Sequence, residues 1–171
     1  YYPYMDDVTD PSQLNITVSA DQTSGFSKDD VLTAQNTTAE ARAENVTLTF
    51  NHAFAMVQVG IKSGLTTDTE ATVTLESILP TAVVNAKAGT VGTASGEKTS
   101  IQMQKTSADK WEYRAIVPAQ DIASGSKLLT IVAGGKTYAV TYSSTEGQAV
   151  SYVAGKALQI TVNSLVALPE G

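Results

Sequence analysis

The sequence predicts an all-β protein, an antiparallel β-sandwich. Three observations carry that reading. Apolar and polar residues alternate along one short segment after another; two such segments meet at Gly134-Gly135; and no stretch spaces its apolar residues as a helix would. Residues 46–62, VTLTFNHAFAMVQVGIK, say most. Val46, Leu48, Phe50, Phe54 and Met56 put large apolar groups on even positions, whereas Val57, Val59 and Ile61 put them on odd ones. Neighbouring side chains of a strand point to opposite faces, so the buried face changes partway along. Kept straight, the segment would run to roughly 55 Å, too long for a domain of this size. The chain is therefore expected to bend, bulge or cross between sheets near residues 52–56.

The remaining elements follow in order. Pro3 and Pro11 keep residues 1–12 extended and turn-rich. Leu14, Ile16 and Val18 alternate with Asn15, Thr17 and Ser19 as in a half-buried strand. Residues 20–45 are polar and read as a long connection, with one apolar touchdown at residues 29–34. After the 46–62 segment, residues 71–79 form a strand ended by Pro80, and 82–86 continue as an edge strand. A Gly/Thr/Ser loop over 89–96 precedes a short strand at Ile101 and Met103. Trp111, Tyr113, Ala115 and Val117 share one face of the next strand, stopped by Pro118. Residues 128–133 and 136–142 flank Gly134-Gly135, where glycine supplies the positive φ of a two-residue hairpin turn. Val150 and Tyr152, then Leu158, Ile160 and Val162, close the series. The division expected is a remnant of a preceding β domain with its linker over 1–45, and a sandwich domain over 46–171.

Bulk properties narrow the function. The chain has 171 residues, 42 % hydrophobic and only 16 % charged, with net charge −6. The acidic balance argues against nucleic acid and against an anionic membrane surface. There is no cysteine, hence no disulfide, thiolate nucleophile or Cys-based zinc site. No continuous apolar run reaches the ~18 residues of a membrane-spanning helix. The abrupt YYPY start reads as part of a longer, processed precursor.

A search for chemistry finds no catalytic set. His52 is the single histidine, flanked by Phe50, Ala53 and Phe54, and reads as a strand residue with its ring packed and one nitrogen hydrogen-bonded. No nucleophile elbow, HExxH or phosphate loop occurs. Asp6, Asp7, Asp10, Asp29 and Asp30 lack the spacing of a calcium loop and suit turns and caps. Trp111, Tyr113, Tyr138, Tyr142 and Tyr152 could form a sugar-stacking platform, although filling a β core is their commoner role. No catalytic residue, cofactor site or metal site is assigned.

Five stretches in order resemble the fimbrillin-like proteins of Bacteroidales: Tyr1-Tyr2-Pro3-Tyr4; Asp30-Val31-Leu32-Thr33-Ala34; the strand carrying Val46, Leu48, Phe50, His52, Ala53, Ala55, Val57, Val59 and Ile61; Trp111 through Pro118; and Val153-Ala154-Gly155-Lys156 with Leu158, Ile160, Val162 and Asn163. The resemblance implies sandwich domains of transthyretin-like, Greek-key type. It also implies a structural and adhesion subunit of a type V pilus or a related surface lipoprotein, exported to the outer membrane, trimmed, and assembled by strand exchange. Its partners would be other pilus subunits or itself, and host or microbial surface glycans or proteins. The alternative is a carbohydrate-binding surface module. The chain departs from the family pattern at Ala157 and in lacking a lipobox. Leu158, Ile160 and Val162 present three apolar groups on one strand face, followed by Leu165 and Val166. These five are the candidate strand-exchange interface, with self-completion expected in the isolated protein.

Overall fold

The computed structural model describes residues 8–35, 45–61, 71–106, 112–163 and 165, and among them it holds strands and no helix. In chain order the strands are β1 (Leu14–Thr17), β2 (Leu32–Gln35), β3 (Thr49–His52), β4 (Ala55–Ile61), β5 (Thr72–Ile78), β6 (Thr81–Asn85), β7 (Thr90–Val91), β8 (Thr99–Gln102), β9 (Gln104–Lys105), β10 (Glu112–Val117), β11 (Gln120–Ile122), β12 (Lys127–Ala133), β13 (Lys136–Thr141), β14 (Val150–Tyr152) and β15 (Ala157–Val162). Two four-stranded sheets dominate, ordered β15-β4-β10-β9 and β13-β12-β5-β8. Smaller sheets, β1-β6-β7, β2-β3 and β11-β14, complete the fold.

Alternation explains the core. Ala55, Val57, Val59 and Ile61 of β4 are buried, as are Val73, Leu75 and Ile78 of β5, and Leu129, Ile131 and Ala133 of β12. All belong to one apolar cluster, so the two large sheets share a sandwich core. Each Val, Leu or Ile among them taken fully out of water contributes about 1.5–3 kcal/mol. The Tyr113 hydroxyl donates to the Ala71 carbonyl at 2.9 Å and ties β10 to the start of β5.

The expected corner lies at Ala53 and Phe54. Before it, β3 pairs with β2; after it, β4 pairs with β10 and β15. The phase change in the sequence is thus a passage between sheets. A second passage occurs at Met103: β8 belongs to the β5 sheet and β9 to the β10 sheet. Between Leu75 and Ile78 the register against β8 slips, and Ser77 takes φ +62°, the one positive φ among the described non-glycine residues. At the predicted hairpin, Gly134 and Gly135 take φ +59° and +72° and join β12 to β13.

Several expectations need correction. Residues 81–85 are not an edge: β6 lies between β1 and β7, because β1 arrives from far along the chain to pair with it, which local pattern cannot show. Val46, Leu48 and Phe50 are exposed rather than buried: Val46 and Leu48 precede β3, and β3 turns all four of its residues to solvent while its partner β2 buries Thr33. The strand pairing is antiparallel except that β15 runs parallel to β4. Residues 20–35 are more than a connection. Gln22 is fully buried, and its amide accepts from Ile116 N–H and donates to Ile116 C=O, both at 2.9 Å. That edge of β10 has lost its neighbour where β9 ends at Gln104, and the side chain stands in for the missing strand. Gln120 does the same for Leu79, accepting from N–H at 2.9 Å and donating to C=O at 3.1 Å.

Candidate functional site at the β15 edge

β15 terminates its sheet and has β4 as its one strand neighbour among the described residues. The register runs from Ala157 opposite Met56 to Val162 opposite Ile61. Its approach is fixed by Gly155 N–H donating to Phe54 C=O at 2.9 Å, and by Met56 N–H donating to Lys156 C=O at 3.0 Å. Gly155 takes φ +69°, a turn that a side chain would resist.

The candidate interface residues separate in this frame. Leu158, Ile160 and Val162 lie opposite the core residues Val57, Val59 and Ile61. Val162 is buried, while Leu158 and Ile160 stay half-buried at the sheet margin and pack against the core. Leu165 is also half-buried against the core. Val166 lies outside the described residues. Ala157, Gln159 and Thr161 face solvent. β15 is thus the most exposed strand of its sheet, held by one parallel ladder, a pairing slightly weaker per residue than an antiparallel one.

The outward face here carries a polar grid. Gln159, Gln58 and Arg114 are register partners across β15, β4 and β10, and Thr161, Gly60 and Glu112 form the parallel row beside them. Arg114 donates from Nε to Glu112 Oε1 at 2.9 Å. With its oxygen turned toward Arg114, the Gln58 amide accepts from Nε at 2.9 Å. Its other end lies 3.3 Å from the Gln159 amide. Gly60 leaves a gap in the middle of the grid, and a depression of about 490 Å³ opens there. Sequence reading passed over these residues; the available signal was a glycine inside a strongly alternating strand.

The other candidates resolve differently. The His52 side chain is 54 % exposed rather than packed, and its Nδ1 lies 2.6 Å from Asp30 Oδ1. It sits on β3, whose four residues all face solvent. Asp10 accepts from Ser12 N–H at 2.9 Å and Asp21 from Thr23 N–H at 2.9 Å, both turn roles, whereas the buried Asp29 accepts from Ser19 N–H at 2.8 Å across ten residues. Hydrogen bonds from the Ser12 and Thr23 hydroxyls and amides hold Asp10 and Asp21 below the usual carboxylate range. No group of His, Asp or Glu suited to a metal occurs among the described residues. Tyr113 and Tyr152 are buried, Tyr138 and Tyr142 are half-buried, and Trp111 lies outside the described residues, so the described aromatics form no exposed platform. Burial pushes the Tyr152 hydroxyl well above its ordinary pKa.

The chain resembles known proteins in fold and family. A Bacteroides ovatus protein provisionally described as a cell adhesion protein superposes with a TM-score of 0.72 at 23 % identity, covering 98 % of this chain and 63 % of that one. A Bacteroides uniformis protein of the same description gives 0.67 at 21 %, covering 97 % and 68 %. One from Bacteroides thetaiotaomicron gives 0.55 at 22 %, covering 73 % and 51 %. At these identities the likeness is one of fold, and the chain spans about half to two-thirds of those proteins. Comparison with curated proteins returned no match. The family described as fimbrillin-like matches residues 1–166, nearly the whole sequence, and this chain belongs to that fimbrillin-like family.

Proposed function

We propose that this chain is a non-enzymatic structural and adhesive subunit of a surface fimbria, joined to its neighbours by β-strand complementation at the β4 edge. The observation that supports this reading most is the attachment of β15: one parallel ladder, with Leu158 and Ile160 only half-buried. Removing it bares main-chain hydrogen-bonding groups of β4 beside Val57 and Val59, which is an acceptor for an equivalent strand from another subunit. Such a contact is head-to-tail and extends into a filament rather than closing into a ring. Family membership supports a surface location. Export as a lipoprotein to the outer membrane belongs to the same reading, as does a role for residues 1–45 as the end of a preceding domain whose strand docks on this one.

A disulfide lock tests it. The chain has no cysteine, and Met56 and Ala157 are register partners. Their Cα atoms stand about 4.8 Å apart across a sheet, within disulfide range. In Met56→Cys/Ala157→Cys, oxidised subunits should stay out of filaments and reduced ones should enter. Normal incorporation of the locked subunit would rule out exchange of β15.

A further inference from the structure

We infer that the depression around Gly60 on the outer face of the β15-β4-β10 sheet is a binding site for a neutral saccharide. The argument starts from Gly60 itself. Glycine in a strand interior weakens the strand, and it usually marks a bulge, a bend, or the close approach of a ligand or another backbone. None of the internal reasons applies. Gly60 is not among the glycines with positive φ, and the β4-β10 and β4-β15 registers run through it without a slip. A Cβ added there would meet no atom of the described residues within 4 Å. Among the described residues nothing requires the missing side chain, and the account that remains is space kept for something outside the chain.

The lining indicates what that is. Arg114 and Glu112 compensate each other, and the rest is Gln58, Gln159, Thr161 and Ile160, so the site carries no net charge in a chain of net charge −6. A charged ligand would meet an already paired ion. The Gln, Glu and Arg groups are planar, and the polar atoms they do not spend on one another can pair with hydroxyls. Sugar hydroxyls both donate and accept, and so they can use amide, carboxylate and guanidinium together. A volume of about 490 Å³ is within the usual range for small-molecule sites. The site differs from the aromatic platform considered from sequence. It also goes beyond the assembly reading while sharing β15 with it: one wall, Gln159 and Thr161, exists only when a strand lies on β4.

The test is an NMR titration of the isolated chain with the methyl glycosides of glucose, galactose, mannose and N-acetylglucosamine, with sialic acid as the charged control. At least one neutral glycoside should shift the amides of Gln58, Gly60 and Arg114 saturably, with Kd in the millimolar range. Gly60→Val should abolish the shifts without lowering Tm, since valine suits a strand and meets open space. Should that variant fold poorly, Gln159→Ala, at an exposed edge position, should weaken binding at least fivefold. Absence of shifts with all four glycosides would overturn the proposal. So would sialic acid acting alone, wild-type affinity in Gly60→Val or Gln159→Ala, or shifts at these residues that follow protein concentration rather than sugar. Those outcomes leave the disulfide-lock result untouched, so the two readings fail separately.

Discussion

Replacing Gln22 tests how the amino-terminal segment is fastened to the sandwich. Gln22→Leu keeps roughly the same volume but removes the amide that serves Ile116. The N–H and C=O of Ile116, itself only 2 % exposed, then lie unpaired. Each orphaned group costs about 1–3 kcal/mol, so the pair costs about 4. Burying leucine in the same space offsets about 1.5 kcal/mol. The net expectation is a loss of about 2–3 kcal/mol, or roughly 5–10 °C in Tm at this chain length. Urea unfolding at neutral pH measures it. Gln22→Glu separates hydrogen bonding from packing. A carboxylate still accepts from Ile116 N–H but confronts the C=O with a second acceptor, whereas the protonated acid can donate. Burial raises that carboxyl's folded pKa. The deficit relative to wild type should therefore be full above the raised pKa and shrink as pH falls through it. A Gln22→Leu protein within about 0.5 kcal/mol of wild type, the range of an inconsequential surface change, would refute the strand-substitute account.

Other outcomes follow from single contacts. Burial raises the Glu76 carboxyl, but hydrogen bonds from Ser100, Thr130 and Lys127 outweigh it and set its pKa below the ordinary 4.5. Its contribution to stability is therefore present above that value and lost as pH falls through the lowered one. Urea midpoints between about pH 3 and 7 should fall on the acid side in wild type and fall less in Glu76→Gln. Gly135→Ala meets no neighbouring atom, so its cost, about 1 kcal/mol by thermal unfolding, is backbone strain alone. Tyr113→Phe loses the bond to Ala71 and should destabilise by about 1 kcal/mol. In contrast, Tyr152→Phe, which removes a buried hydroxyl without a partner among the described residues, should not destabilise by calorimetry.

The sequence by itself determined the all-β class, most strand positions, the Gly134-Gly135 turn and the corner inside residues 46–62. These are local: a period of two and a positive-φ turn are written in neighbouring residues. It also carried the family resemblance, through ordered short motifs. Only tertiary structure decided the rest, because the deciding partners are distant in the chain. β6 is central because β1 reaches it, and β10 keeps its edge satisfied because Gln22 does. His52 and Phe50 are exposed because β3 turns all four of its residues to solvent, and Val46 and Leu48 are exposed just before it. β15 was legible as an apolar strand. Its parallel seat on β4 was not, and neither was the grid in which Gly60 leaves a gap. Strand periodicity says which face a residue occupies but not which strand lies beside it, and the candidate sites of this protein are set by that neighbour.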